Sequence, residues 1–310
     1  WRDDLRGQGL LTYANLKNDR HVVIGPWGHC QNGDFNMLAE MHRFFDQHLK
    51  GIKTNILTED PIHYFTINAP VGTEWRSSKT WPIAGTRLTK LFLTASSPVG
   101  GDLSFQAPTG AGSQTTFTIR YDVDCPTLAR QPGGMLTGAP PCPVEHGGPR
   151  FVTAPLESDT EVTGDAVVYL WMSSNASDGN IFVYLEDVAP DGKAMQVTDA
   201  RLKASLRKVS KPKYENYGLP YHRSHREDAQ PLKPGEPAQL VFAFFPASHI
   251  FKAGHSIRIS VAGSDYRERD RTPVSPAPIM TILNTPSNPS YISLPMINLK
   301  NVRDHEKGED

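Results

Sequence analysis

The chain has 310 residues, of which 38% are hydrophobic and 21% charged, with a formal net charge of −1. That length suffices for two ordinary domains with cores of their own, and the balanced charge gives no electrostatic reason to expect a nucleic acid or an anionic membrane as partner. No apolar run approaches the roughly 18–20 residues needed to span a bilayer.

The first residue is Trp1, followed at once by charged residues, with neither an initiator nor a signal-peptide pattern. The N-terminus therefore reads as a cut, and the compartment is not legible. The three cysteines, Cys30, Cys125 and Cys142, include no Cys-x-x-Cys pair, so a structural zinc site is not expected; no cofactor is expected either. Cys125 and Cys142 flank a Pro/Gly-rich loop that a disulfide can close in an oxidising compartment; two unpaired thiols are the equal alternative.

In chain order, Leu5, Leu10, Leu11, Ala14 and Leu16 predict a helix ending near Lys17, and HVVIG (21–25) a short buried strand. The loop PWGHCQNGD (26–34) follows. Leu38, Met41, Phe45 and Leu49 then recur at helical spacing up to Gly51, a natural helix stop. Helix, strand, loop and helix in this order belong to an α/β layered fold. From Ile62 the pattern changes to short β segments divided by Pro, Gly, Asn and Asp: 62–67, 88–93, 115–120, 166–172, 180–188, 239–245, 255–263, 279–283 and 291–294. In the segment 255–263 the alternation is cleanest, with Ile257, Ile259 and Val261 facing one way and Arg258 and Ser260 the other, as in a sheet with one face in a core. About nine such strands, uninterrupted by a long helix and set among 26 prolines, indicate an antiparallel sandwich or jelly roll. The loops 125–149 and 208–236 are long enough to drape over it. The division falls at 1–60 and 61–310.

The chemistry sits near the start. A Ser-His-acid triad on an α/β-hydrolase sheet runs Ser, then acid, then His along the chain, each on a loop after a strand. His29 follows the strand 21–25 in that way, and Asp3 lies 26 residues upstream with one helix and one strand between. An imidazole that is to take a proton from a serine hydroxyl needs a carboxylate to hold its tautomer and to stabilise the imidazolium. Taken alone, His29 also reads as a loop residue with a local hydrogen bond, Asp3 as a helix N-cap, and Asp4 is a rival for the acid.

Several further segments narrow this. W-x-D at 1–3 with Gly7 and Leu10, VVIGPWGH (22–29), MHRFFDQHLKG (41–51), EWRSSKTWP (74–82), PLESDTEVTG (155–164), LEDVAPDGKA (185–194), FKAGHSIRISVAGSD (251–265) and NPSYISLP (288–295) occur in that order. Together they resemble the cocaine-esterase and X-prolyl dipeptidyl-peptidase (CocE/NonD) family of serine hydrolases over nearly the whole chain. Arg2 stands where that family usually has Tyr, and Gly28 where Ser or Thr is common. The resemblance implies the end of an α/β-hydrolase domain followed by a jelly-roll β-sandwich. It further implies Asp3 as the acid, His29 as the base, and a nucleophile, an oxyanion hole and a helical cap lying upstream of Trp1, because no G-x-S-x-G elbow occurs in the chain.

The implied substrate is a small ester or amide, or a peptide, cleaved through an acyl-enzyme, with an esterase or acylase favoured over a peptidase. The chain alone is expected to be inactive. The competing reading is a jelly-roll module that binds a carbohydrate or a protein without catalysis. His255 reads as structural, holding a turn or a domain contact, and the remaining histidines, such as His21, His42 and His146, as solvated or locally satisfied. Trp27 reads either as a rim residue or as packing beside His29. Asp187 and Asp191 read as turn residues and not as metal ligands.

Overall fold

The computed structural model describes residues 7–28, 35–122, 147–265 and 273–297. The first stretch contains the expected helix α1 (Gln8–Asn15) and strand β1 (Val22–Ile24), followed by helix α2 (Met37–Leu49) and strands β2 (Ile62–Phe65) and β3 (Trp75–Ser78). Asn36 starts α2 by accepting the Ala39 N–H on its side-chain oxygen at 3.0 Å, and Gly51, at φ 68°, leaves the helix in the left-handed region a side chain disfavours. β1 pairs in parallel with β2, Val22 opposite Ile62 and Ile24 opposite Tyr64, and β2 pairs antiparallel with β3. The first two strands of the period-two region thus join the small sheet ahead of the large one. Leu10 of α1 packs with Ile62, Tyr64 and Trp81 in a second, smaller core. The outer face of α2 is uncovered among the described residues, with Leu38 at 78% and Leu49 at 76% exposure.

The large β structure comprises β4 (Arg87–Ser97), β5 (Gly100–Ser104), β6 (Ser113–Thr118), β7 (Arg150–Val152), β8 (Thr160–Gly164), β9 (Val167–Ser174), β10 (Asn180–Val188), β11 (Ala194–Lys203), β12 (Ala238–Ala243), β13 (Ala247–Phe251), β14 (Ser256–Ala262), β15 (Ile279–Asn284) and β16 (Tyr291–Ile297). Its main path runs β11-β10-β14-β7-β5-β4-β16-β9-β15-β6, with β12 added on β9 and the β8–β13 pair on β16. Every pairing in it is antiparallel except β5 with β7. One continuous core runs through it, drawing on Leu91, Phe151, Val168, Leu185, Phe251 and Leu294. Between residues 160 and 265 the only helical elements are two 3-10 turns of three residues each, Ala204–Leu206 and Arg226–Asp228.

β14 departs from the expected one-sided burial. Ile257, Ile259 and Val261 are buried in the core, but the opposite face is closed as well. There Arg258 Nε donates to Glu186 Oε2 at 2.7 Å and Ser260 Oγ donates to the same oxygen at 2.6 Å. A buried carboxylate is tolerated when charged and hydroxyl donors replace the water it lost.

The small sheet is bonded to the large β structure through polar groups. Ile67 lies beside His249 as an added strand position: its N–H donates to Ser248 O at 3.0 Å, and its carbonyl accepts from Ile250 N at 2.9 Å. Arg76 of β3 donates to the buried Glu161 at 2.6 Å. Behind this contact Asp187 joins two histidines, with Oδ2 at 2.8 Å from His249 Nε2 and Oδ1 at 2.7 Å from His255 Nδ1. Burial pushes the Asp187 carboxyl up, but the hydrogen bonds from His249 and His255 outweigh it and hold its pKa below the usual carboxylate range. Asp187 is therefore a strand residue in the middle of a network and not part of a turn; Asp191 alone occupies the turn, accepting the Lys193 N–H at 3.0 Å. His255 holds the structural contact its sequence context suggested. Nδ1 of His249 is buried with no partner among the described residues, and a proton on Nε2 faces the Asp187 carboxylate.

Candidate active site

Asp3, its rival Asp4 and His29 lie outside the described residues, as do Cys30, Cys125, Cys142 and His146. The structure describes what leads into and out of their segments. Gly7 opens α1 directly after the segment that contains Asp3, and the loop that contains His29 is flanked by the buried Gly28 and by Phe35.

Both ends of that loop are held by aromatic rings. The Trp27 and Phe35 ring centroids are 5.5 Å apart, and Trp75 of β3 meets both, at 5.7 Å from Trp27 and 4.9 Å from Phe35. Phe65 of β2 closes the group edge-on against Trp75 at 5.4 Å. Offset and tilted ring pairs of this kind contribute about 0.5–1.5 kcal/mol each beyond the area they bury. Trp27 is thus a packing residue of the loop, partly exposed. Its indole lies over Gly25, where an added Cβ would sit 2.4 Å from the ring. Gly25→Ala is therefore expected to displace Trp27 and to cost about 1–3 kcal/mol, read as a lowered midpoint in urea unfolding.

His21, just ahead of β1, faces Phe44 and His63, at ring-centroid separations of 6.4 and 6.3 Å. Burial and then the nearby His63 lower its pKa, which favours its neutral form. Among the described residues no group of three or more His, Cys, Asp or Glu is placed to hold a metal ion, and no helix is long and apolar enough to cross a membrane. One ionisable residue that sequence reasoning passed over is Asp165, which accepts the Trp81 indole N–H at 2.8 Å. Its only sequence signal is a carboxylate placed between Gly164 and the apolar strand that follows.

This mostly β-sheet mixed fold with few helices is similar to the C-terminal parts of CocE/NonD-type hydrolases. A CocE/NonD family hydrolase from Staphylococcus aureus superimposes with a TM-score of 0.65 at 17% identity, over 84% of this chain and 45% of that one. An α-amino acid ester hydrolase does so with a TM-score of 0.66 at 22% identity, over 89% and 50%. A family model described as the X-Pro dipeptidyl-peptidase C-terminal non-catalytic domain matches residues 49–292, and the chain belongs to that family.

Among its relatives, a Mycobacterium bovis protein named provisionally as a serine esterase is 33% identical over 295 residues, covering 89% of this chain and 45% of its own length. Cocaine esterase from Rhodococcus is 27% identical over 348 aligned positions, covering 96% and 55%. The chain thus spans about half the length of the curated relatives it matches.

Proposed function

We propose that the chain is the C-terminal portion of a serine hydrolase that cleaves an ester or amide, of the acyl esterase, acylase or X-Pro dipeptidyl-peptidase type, through an acyl-enzyme. In this reading His29 takes the proton from the serine hydroxyl and later returns it to the leaving group. Asp3 holds the imidazole in the competent tautomer and stabilises the imidazolium. The observation that carries the reading is the likeness, over 89% and 96% of the chain, to a protein provisionally named a serine esterase and to cocaine esterase. Residues 1–60 then form the end of the α/β-hydrolase domain and 61–310 a jelly-roll β-sandwich packed on it.

Two features of the small sheet support this. β1 pairs with β2 alone among the described residues, and the exposed Leu38, Met41, Phe45 and Leu49 line one face of α2. A larger α/β domain would cover both. No such domain or nucleophile is needed in the competing reading of a carbohydrate- or protein-binding module. The purified 310-residue chain is expected to turn over no p-nitrophenyl ester, whereas the full-length protein does so and is silenced by a serine-directed fluorophosphonate. Inhibitor-sensitive turnover by the chain alone would place a nucleophile within it; no turnover by the full-length protein on any ester, amide or X-Pro peptide would favour the binding module.

A further inference from the structure

The hydrolase reading assigns nothing to Asp165. This residue lines a cleft of about 210 Å³ between α1 and the segment 214–221, and it is the one charged side chain among the lining residues. Apart from the uncharged amides of Gln8 and Asn216, the rest of the lining is apolar or aromatic, including Leu11 from α1, Tyr214, Tyr217 and Tyr221 from the facing segment, and Phe244 and Phe245 after β12. The sole hydrogen bond Asp165 accepts among the described residues is that from Trp81. One neutral donor does not compensate a carboxylate removed from water. Burial accordingly pushes the Asp165 pKa up to about 6, and the Trp81 bond only partly opposes it.

Among the described residues no cation answers this carboxylate. The α1 residues of the cleft, Gly7, Gln8, Leu10 and Leu11, carry no charge, and neither do residues 243–246. Tyr217, whose hydroxyl donates to Leu10 O at 2.9 Å, feels Asp165 as well as Arg20 and Glu215, but these two charged groups do not act on Asp165 itself. A partly buried carboxylate with spare acceptor capacity, at a cleft walled by rings, is complementary to a positive charge on an apolar body.

We propose that this cleft binds a small organic cation, a primary ammonium carried on an aromatic-sized apolar group, with the Asp165 carboxylate as its counter-ion. The ammonium supplies the donors that Asp165 lacks, and the tyrosine and phenylalanine rings receive the apolar body. Proton uptake by Asp165 removes the counter-charge, so affinity falls as the pH drops below the carboxylate's raised pKa.

The test uses the full-length protein labelled with 5-fluorotryptophan, because Trp81 is bonded to Asp165 and reports on it directly; Trp81→Phe identifies its fluorine resonance. At pH 7.5, benzylamine, which is then a cation, is expected to shift the Trp81 resonance saturably. Its neutral counterpart benzyl alcohol should bind at least tenfold more weakly, and Asp165→Asn, which still accepts from Trp81, should weaken benzylamine at least tenfold. Tyr214→Ala, at a half-exposed wall position, should weaken it about threefold with the carboxylate intact, and wild-type affinity should be lower at pH 5 than at pH 7.5. An absent or non-saturating shift, or an equal response to benzyl alcohol, overturns the proposal. So does unchanged affinity in Asp165→Asn. Because the readout is binding at Trp81 and not turnover, the result stands whether or not His29 proves to be the base.

Discussion

His29→Ala in the full-length protein is expected to lower kcat on a p-nitrophenyl ester by several orders of magnitude while the far-ultraviolet circular dichroism and thermal midpoint stay unchanged. Without the imidazole the serine hydroxyl has no proton acceptor and the leaving group no donor, so both halves of acyl transfer fail together. Asp3→Asn is expected to cost about 10⁴-fold in kcat, as loss of the orienting carboxylate does in other triads, with KM little altered. Asp4→Asn should be nearly silent. The reverse outcome for the two aspartates would move the acid to Asp4, and a silent His29→Ala would remove the hydrolase reading.

The second large effect is on stability. Asp187→Ala leaves His249, which is fully buried, without the acceptor for its Nε2 proton and deprives His255 of its partner. Leaving a buried polar group without its partner costs about 1–3 kcal/mol, here for two histidines at once, which would appear as a thermal midpoint lowered by several degrees. Asp187→Asn, which keeps one acceptor oxygen, should cost less. The pH dependence has a defined sign. The Asp187 pKa is depressed in the folded state, so its contribution is fully present above the ordinary carboxylate pKa near 4 and is lost as the pH falls through the depressed value. The stability gap between wild type and Asp187→Asn should therefore be widest at neutral pH and narrow in acid.

The elements that sequence periodicity revealed are those with a long apolar run or a clean alternation, even where, as at Glu186 and Asp187 of β10, they also bury polar groups. β10 was expected at 180–188 and occupies Asn180–Val188; α2 and β9 lie within one or two residues of expectation. β3, β5, β7, β8, β11 and β13 were not anticipated; the first three are short, and the last three bury polar groups. Glu161 and Thr163 of β8, Asp199 of β11, and Ser248 and His249 of β13 are all buried. Each disturbs the period-two signal, and the partners that make its burial tolerable come from distant sequence: Arg76 for Glu161, Asp187 for His249. A pattern read along one strand cannot contain that information. The candidate site divides in the same way. The GPWGH and W-x-D segments carry a local signature, whereas the Trp27–Phe35–Trp75 clasp and the Asp165 cleft exist only once β3 and the segment 214–221 have been brought alongside.

The insertion of Ile67 between Ser248 and Ile250 bears on how this protein can be recombined. The short strand that pairs with β1 at one end is, two residues later, hydrogen-bonded to β13 of the large β structure. Arg76 and Trp81, a few positions further on, reach Glu161 and Asp165 on either side of Gly164. Residues 62–82 thus act as a splint shared by the two parts. A chimera that grafts the large β structure onto another hydrolase must carry the splint along, with its junction in the segment between α2 and β2. Joined instead after Trp81, the graft would strand Glu161 and Asp165 without their donors and deprive Ser248 and Ile250 of their backbone partner. The heritable module is therefore the β structure plus its splint.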